Sequence, residues 1–195
     1  MRRGENYLLY LFALLMSLVV ALSNYLVQFP IKYLNLENVL TYGAFSYPFA
    51  FLITDLSNRR YGKKVAKKIV YLGFALGVLL TLYFSTNYSD LISIRIAIGS
   101  GTAFLVAQLI DVQIFHKLRK KIWFAAPLVS SLIGSSIDTF LFFSISFYGT
   151  GINWITLSIG DLFVKIFIAI LMLIPFRILI SYISEISELR SKANV

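Results

Sequence analysis

Three ionisable side chains interrupt long apolar segments in the last third of this sequence. Asp138 lies in "SSLIGSSIDTFLFF", and Asp161 and Lys165 are spaced i,i+4 in a later apolar stretch. A carboxylate accepts paired N–H donors and an ammonium group donates to a carbonyl, so these residue types suit recognition of a polar solute. The competing interpretation is an ion pair between Asp138 and Lys165 that only stabilises the fold.

Amide, hydroxyl and aromatic side chains are expected at the same depth as these charges. They are Asn24, Gln28, Tyr42, Phe45 and Ser46. Carboxylates, amides and aromatic rings together are typical of a pocket for a small, flat, hydrogen-bonding solute, and less so of an ion-only pore. For any single ring, a place in the core or at the membrane boundary is the alternative.

A second polar group is expected near a basic edge of the chain. Asp55 and Arg59, at i,i+4 spacing, are predicted to pair along one helix face. Gln108 and Asp111 share a face of "FLVAQLIDVQIFHKLRKK", and Asp111 lies about 7 Å above its basic end at ~1.5 Å per residue. Two interpretations of Asp111 stay open. It hydrogen-bonds neighbouring helices or pairs with Arg59 or Arg119, or it is an inner gate or proton site.

Composition excludes several classes of function. The 195-residue chain has no cysteine and one histidine, so neither a thiolate nor a histidine metal centre is expected. Walker lysine loops, HExxH and nucleophile elbows are absent from the sequence, and we expect neither an enzyme nor a cofactor. The net charge of +9 comes from short basic clusters between apolar runs. That arrangement argues against a nucleic-acid partner, which would need one continuous basic face.

The elements that must position these residues are membrane-spanning helices. Hydrophobic residues make up 58% of the chain, well above the usual share in soluble proteins. Six segments approach the ~20 residues that cross a bilayer: about 7–28, 39–56, 69–88, 92–115, 125–148 and 160–182. The sequence therefore predicts an all-α integral membrane protein, a six-helix bundle forming one domain over residues 1–195. The first helix is expected to be retained, because no signal-peptide cleavage site follows it.

Basic clusters set the predicted orientation. They precede the first helix, follow the second and fourth, and close the tail: Arg2, Arg3, Arg59, Arg60, Lys63, Lys64, Lys67, Lys68, Lys117, Arg119, Lys120, Lys121, Arg190 and Lys192. By the positive-inside rule these regions are cytoplasmic. Both termini, including a tail over 183–195, are then inside, in agreement with an even number of spans.

Two further features concern the membrane boundary and helix packing. Arg95 lies at the outer end of the fourth helix, where its long stem reaches the interface; an anchor and a ligand contact are both consistent with that place. Ala13, Ser17 and Ala21 recur every four residues in the first helix. Such a small-residue face suits contact with another helix, within the chain, in a homo-oligomer or on a partner protein.

Several motifs resemble one known family, the queuosine precursor transporters, also called vitamin uptake transporters. They are "SNYLVQFP", "YGAFSYPFAFLITDLSNRRYG", "QLIDVQIFHKLR", "APLVSSLIGSSIDTFLFF" and "DLFVK". The resemblance covers nearly the whole chain in order. It implies a six-helix bundle similar to the substrate-binding components of energy-coupling-factor transporters. It also implies import of deazaguanine precursors of queuosine, the cyano and aminomethyl forms, across a bacterial inner membrane.

The residues suit such a base. Asp138 or Asp161 can accept its N–H and amine edge. Its carbonyl can be met by Asn24, Gln28 or Lys165, and its ring by Phe45 or Tyr42. Asp55, Arg59, Arg95, Gln108 and Asp111 are then expected to gate or couple transport. The alternative function is a membrane-embedded binding subunit that needs a separate energising partner, docked through Ala13, Ser17 and Ala21.

Overall fold

The computed structural model describes residues 3–38, 40–84 and 87–192, and it describes their side chains except at 3–8, 34, 35, 38 and 183–192. Arg2, the last residues 193–195 and the side chains of Arg3, Arg190 and Lys192 lie outside the described part. The prediction that both termini are cytoplasmic therefore stays a prediction.

The regular secondary structure of the described residues is helical, which confirms the all-α expectation. Its elements are α1 (Arg3–Leu26), a 3-10 helix (Tyr33–Asn38), α2 (Gly43–Ser46), α3 (Pro48–Tyr61), α4 (Lys63–Phe84), α5 (Leu91–Leu118), α6 (Ala125–Phe147), α7 (Trp154–Leu171) and α8 (Leu173–Lys192). The described residues form no β-strand, and an isolated antiparallel bridge joins Pro30 to Thr41.

Five helical stretches are long and apolar enough to cross a membrane. They lie in α1, α4, α5 and α6 and in the run Trp154–Tyr182, which joins α7 to α8. Large apolar side chains cover the outside of the bundle: Leu79, Phe163 and Ile178 are each 63–71% exposed. Apolar residues on the outer surface match a lipid solvent, so the chain is a multi-pass membrane protein.

The expected second span differs most from the structure. Residues 39–56 were expected to form one helix, but the structure has the short α2 followed by α3, which extends to Tyr61. Pro48 has no N–H with which to bond the carbonyl four residues earlier, so the helical hydrogen bonding is interrupted there. Tyr47 still has helical dihedral angles, φ −61° and ψ −37°. Neither helix alone is among the five long apolar stretches.

Helices α1 and α4 pack closely at two glycines of α4. A Cβ atom added to Gly73 would lie 2.7 Å from Met16 Cβ, and one added to Gly77 would lie 2.9 Å from Val20 Cγ1. Ala13 and Ser17 are 3% and 1% exposed on the same side of α1. The small-residue face predicted on α1 is thus largely used inside the chain, against α4.

The core consists of two main apolar clusters. One includes Met16, Phe51 and Phe104 from α1, α3 and α5. The other includes Phe142 and Phe147 from α6 with residues of α5. Both clusters have a member at the polar cavity described next, so the cavity lies inside the bundle.

Candidate functional site

A polar cavity lies among α1, α2, α5, α6 and α7. Its lining residues are Ser23, Asn24, Val27, Gly43, Tyr47, Ser100, Asp138, Phe142, Asp161 and Lys165. The cavity volume is about 20 Å³, and one water requires ~10–15 Å³ on this measure. Four of the eight residues predicted to bind solute are therefore brought to one place: Asn24, Asp138, Asp161 and Lys165.

The charged residues of the polar cavity form one cluster. Lys165 Nζ lies 2.9 Å from Asp138 Oδ2 and 2.6 Å from Asp161 Oδ2. Thr139 Oγ1 donates to Asp161 Oδ2 at 2.8 Å and accepts from Lys165 Nζ at 3.1 Å. Every side chain of the two ion pairs is at most 5% exposed. Two carboxylates around one ammonium leave the cluster with a net charge of −1 when all three are ionised.

The cluster is positioned by helix periodicity. Asp161 and Lys165 lie one turn apart on α7 and so point the same way. The predicted segment 160–182 would place Asp161 in the first turn of its helix, where the helix dipole favours an anion. In the structure α7 begins at Trp154, so Asp161 lies beyond the first turn. Lys165 and Thr139 are the groups that stabilise the Asp161 carboxylate.

Two polar atoms of the polar cavity have no hydrogen-bond partner among the described residues. They are Asp138 Oδ1 and the Tyr47 hydroxyl, and the hydroxyl faces the Asp138 carboxyl. Tyr47 also places its ring 4.8 Å from Lys165 Nζ, in a cation–π contact. Buried polar atoms are nearly always paired, so an acceptor and a hydroxyl left open at a cavity indicate a place for a ligand. Asp138 therefore has one oxygen held by Lys165, and its carboxyl lies beside the Tyr47 hydroxyl with Oδ1 able to accept from a donor in the cavity.

Asn24 supplies an amide to the lining of the polar cavity. Its Nδ2 donates to Thr81 Oγ1 at 2.8 Å, and its Oδ1 accepts from the Ser100 hydroxyl. These bonds to α4 and α5 fix the orientation of the amide. One further N–H and one further lone pair remain on it, because a side-chain amide has two of each.

The structure does not bring the other four predicted residues to the cavity lining. Tyr42 and Phe45 are 39% and 45% exposed. Gln28 Nε2 donates to the Asn24 carbonyl at 3.2 Å, and the Ser46 hydroxyl lies 2.8 Å from that of Ser23. These two residues do not line the cavity, but each bonds to a residue that does.

The cavity aromatics are Tyr47 and Phe142, which sequence reasoning missed as site residues. Ser23, Val27, Gly43 and Ser100 were missed with them. No sequence signal distinguished Tyr47 from Tyr42 and Phe45, because an aromatic ring is as acceptable at the membrane boundary as in the core.

A second polar site lies toward the end of the bundle where α3 and α5 reach their basic residues. The Asp55 carboxylate accepts from the Ser130 and Ser131 hydroxyls, both at 3.3 Å. The Asp111 carboxyl faces Asp55 and Ser130. Asp55 and Asp111 are 2% and 0% exposed. We call these two residues the carboxyl pair.

The predicted ion pair between Asp55 and Arg59 does not form among the described residues. Arg59 Nη1 donates to the Arg119 carbonyl, and Arg119 Nη2 donates to the Arg59 carbonyl at 3.1 Å. The two arginines therefore tie the ends of α3 and α5 together, and neither pairs with Asp111. Gln108 links the same two helices deeper in, where its Oε1 accepts from Thr54 at 2.5 Å.

Arg95 acts as an anchor in the structure. Its Nε and Nη2 donate to the Ile145 carbonyl at 3.1 and 2.9 Å, and Nη2 donates to the Tyr148 carbonyl at 2.8 Å. The last carbonyls of a helix have no partner within it. Arg95 satisfies two carbonyls at the end of α6 and so ties α5 to α6.

Comparison with known proteins gives matches over most of the chain. The family model described as "putative vitamin uptake transporter" matches residues 41–180. A "probable queuosine precursor transporter" of Haemophilus influenzae is 34% identical over 186 residues, covering 80% of this chain and 79% of the relative. The "queuosine precursor transporter" of Escherichia coli K12 is 33% identical over 177 residues, covering 81% and 79%.

A third relative and the solved structures complete the comparison. A "probable queuosine precursor transporter" of Bacillus subtilis is 27% identical over 156 residues, covering 68% of each chain. No solved structure gives a significant match. The family resemblance read from the motifs is confirmed, and the chain belongs to the vitamin uptake transporter family.

Proposed function

We propose that this protein imports queuosine precursors, the 7-deazaguanine bases in their cyano and aminomethyl forms, across a bacterial inner membrane. The observation that carries the proposal is the open Asp138 Oδ1 at a cavity whose other charges are already paired. The names of two relatives at 33–34% identity support the class of solute.

The cavity chemistry suits such a base. A deazaguanine has an N–H and an exocyclic amine on one edge, which the free oxygen of Asp138 can accept with a charge-assisted bond. Its carbonyl can accept from the second N–H of Asn24. The rings of Tyr47 and Phe142 offer faces or edges for stacking. In this proposal Tyr47 and Phe142 take the role that was expected of Tyr42 and Phe45.

Admission of the solute requires the cavity walls to move. A volume of about 20 Å³ holds one or two waters, and a bicyclic base is several times larger. The wall best placed to yield is α2, because it is only four residues long and its end is interrupted before Pro48. Gly43 lies against α1 with no side chain, and an added Cβ would meet Val27 Cβ at 2.9 Å. We propose that α2 lifts from α1 to admit the base.

The proposed topology has six spans in one domain with both termini cytoplasmic. Residues 43–61 continue in one direction through the helical Tyr47, a length of about 28 Å at ~1.5 Å per residue. That length approaches the ~30 Å apolar thickness of a bilayer. Together α2 and α3 then form the second span, beside the five long apolar stretches.

The decisive experiment is complementation by this chain alone. A bacterial strain unable to make queuosine and lacking its own importer receives the gene and then either base in the medium, and queuosine in its transfer RNA is measured. We expect queuosine with wild-type protein and with Glu37→Gln, which removes an exposed carboxylate. Asp138→Asn should give little or none at low base concentration. No queuosine with well-expressed wild type would contradict the proposal of an autonomous importer. Its recovery only with an added energising protein would establish the alternative.

A further inference from the structure

The carboxyl pair is separate from the polar cavity and is not explained by solute recognition. Ser100 lines the cavity and Asp111 lies eleven residues later on α5, about 16 Å along the helix axis. A second small cavity, of about 10 Å³, borders Asp55 and reaches Ser131, Ser135 and the junction of α7 and α8 at Met172 and Leu173.

Asp111 is the unusual member of the pair. Neither of its oxygens has a hydrogen-bond partner among the described residues, although the side chain is fully buried. The groups that face it are the Asp55 carboxyl and the Ser130 hydroxyl. The Ser130 and Ser131 hydroxyls bond to Asp55 instead. A buried carboxyl with two unpaired oxygens indicates a ligand that bonds to it.

No cation on the surrounding helices compensates the pair in the described part of the chain. Arg59 and Arg119 bond to each other's carbonyls, and Lys165 is held by the other two aspartates. Arg177 of α8 lies 4.9 Å from the Trp123 ring. The other charged groups at this end of the surrounding helices form no ion pair with the carboxyl pair. They are Arg60, Lys63, Lys64, Lys67, Lys68, His116 and Lys117.

Two ionised carboxylates in contact, away from water and cations, repel strongly. One proton between them removes the repulsion and supplies the missing hydrogen bond, since a protonated carboxyl donates one.

We infer that Asp55 and Asp111 together bind one proton, and that this proton enters with the solute and is released on the cytoplasmic side. The coupling rests on the proposed transport function, whereas the shared proton does not. Both sites are built on the same helices. On α6, Ser131 bonds to Asp55, and Ser135 and Asp138 follow on the same face. On the other side, Tyr47 at the start of α3 contacts Lys165, and Asp55 lies two turns later.

This placement gives the coupling a physical form. Opening toward the cytoplasm must part α3 from α5, which separates the two carboxyl groups and admits water between them. Each carboxylate is then stable without the shared proton, and the proton leaves. The Ser135 hydroxyl, which has no partner among the described residues and borders the second cavity, lies between Asp138 and the pair on α6. It is placed to pass the proton inward from the polar cavity.

The test uses purified full-length protein in liposomes with the membrane potential clamped, and radiolabelled cyano deazaguanine, which is neutral. Counterflow exchange is measured without a gradient, and accumulation is measured with the outside one pH unit more acidic. One proton per solute supports up to about ten-fold accumulation per pH unit. We expect wild type to approach that limit and to acidify the lumen. Asp111→Asn, whose amide can donate to Asp55 as the shared proton does, should keep exchange within about three-fold of wild type and lose accumulation.

The outcomes separate the inference from the function beneath it. Absence of counterflow in wild type would refute transport of this base. Counterflow with no accumulation under the pH gradient, accumulation driven instead by a sodium gradient, or full accumulation by Asp111→Asn would each refute the coupling of this proton to transport. If Asp111→Asn does not fold, Asp55→Asn takes its place. Infrared spectroscopy of wild type supplies a check without solute: the C=O band of a protonated carboxyl should be present and should vanish in whichever variant folds.

Discussion

Replacement of Asp138 by Asn tests the solute site most directly. Asp138 Oδ2 accepts from Lys165 Nζ at 2.9 Å, and Oδ1 is open to the cavity. In Asp138→Asn the amide oxygen must face the lysine, because an NH₂ group against an ammonium has no acceptor. The NH₂ group then occupies the place of Oδ1. A solute N–H that met a carboxylate oxygen in wild type meets another donor in the variant.

The expected magnitude follows from this geometry. The variant loses one charge-assisted hydrogen bond and buries an unsatisfied donor, which together cost about 2–4 kcal/mol of binding free energy. That corresponds to roughly thirty-fold to a thousand-fold weaker affinity. Stability should change much less. Lys165 keeps Asp161 at 2.6 Å, so the lysine is not stranded, and the loss should stay below the ~3–5 kcal/mol typical of a broken buried pair.

The assay is equilibrium binding of a deazaguanine base to purified protein in detergent, with thermal unfolding of the ligand-free protein measured alongside. Asp161→Asn is the matched control, since it also removes one carboxylate from Lys165 while leaving Asp138 Oδ1 open. We expect a smaller loss of affinity there. An Asp138→Asn affinity within about three-fold of wild type, with the protein folded, would refute the assignment.

Three other predictions concern the fold. Lys165→Met leaves Asp138 and Asp161 buried without their cation and should lower the unfolding free energy by about 3–5 kcal/mol, seen as a loss of thermal stability in detergent that Lys165→Arg partly avoids. Gly134→Ala places a Cβ 2.5 Å from Phe51 Cε1 and should cost ~1–3 kcal/mol by overpacking, whereas Ser136→Ala, exposed on the same helix, should be neutral in the same unfolding measurement. A reporter fused after Val195 should be active only in the cytoplasm, and periplasmic activity would overturn the six-span topology.

The charged residues of the polar cavity were predictable, because a membrane leaves a charged side chain few places to lie. A charged side chain in an apolar helix faces the interior because the lipid side is too costly. Asp138, Asp161 and Lys165 therefore converge as expected from depth alone, and Asn24 joins them for a similar reason. Aromatic rings carry no such constraint. Tyr42 and Phe45 are as acceptable at the surface as Tyr47 is in the cavity, and the choice depends on how α2 sits against α1.

The carboxyl pair was not predictable, because its contacts join residues far apart in sequence. The i,i+4 spacing allowed Asp55 to meet Arg59, yet the hydroxyls of Ser130 and Ser131 hold the carboxylate instead. Local spacing shows what can pair along one helix, and tertiary packing decides what does. Contact between two aspartates is also unexpected from sequence, because like charges repel.

The two polar sites are separated by aromatic rings, and this constrains how any solute can leave the cavity. Tyr47, which lines the polar cavity, packs edge-to-face on Phe51 and Phe104 with ring centroids 6.2 Å away in both cases. Phe51 in turn borders the cavity beside Asp55 and fills the space left by Gly134. Protein interiors are close-packed, so there is no free volume into which one of these rings could rotate. In the proposed import cycle an inward path therefore opens by displacement of α3 as a body, and the same displacement pulls Asp55 away from Asp111.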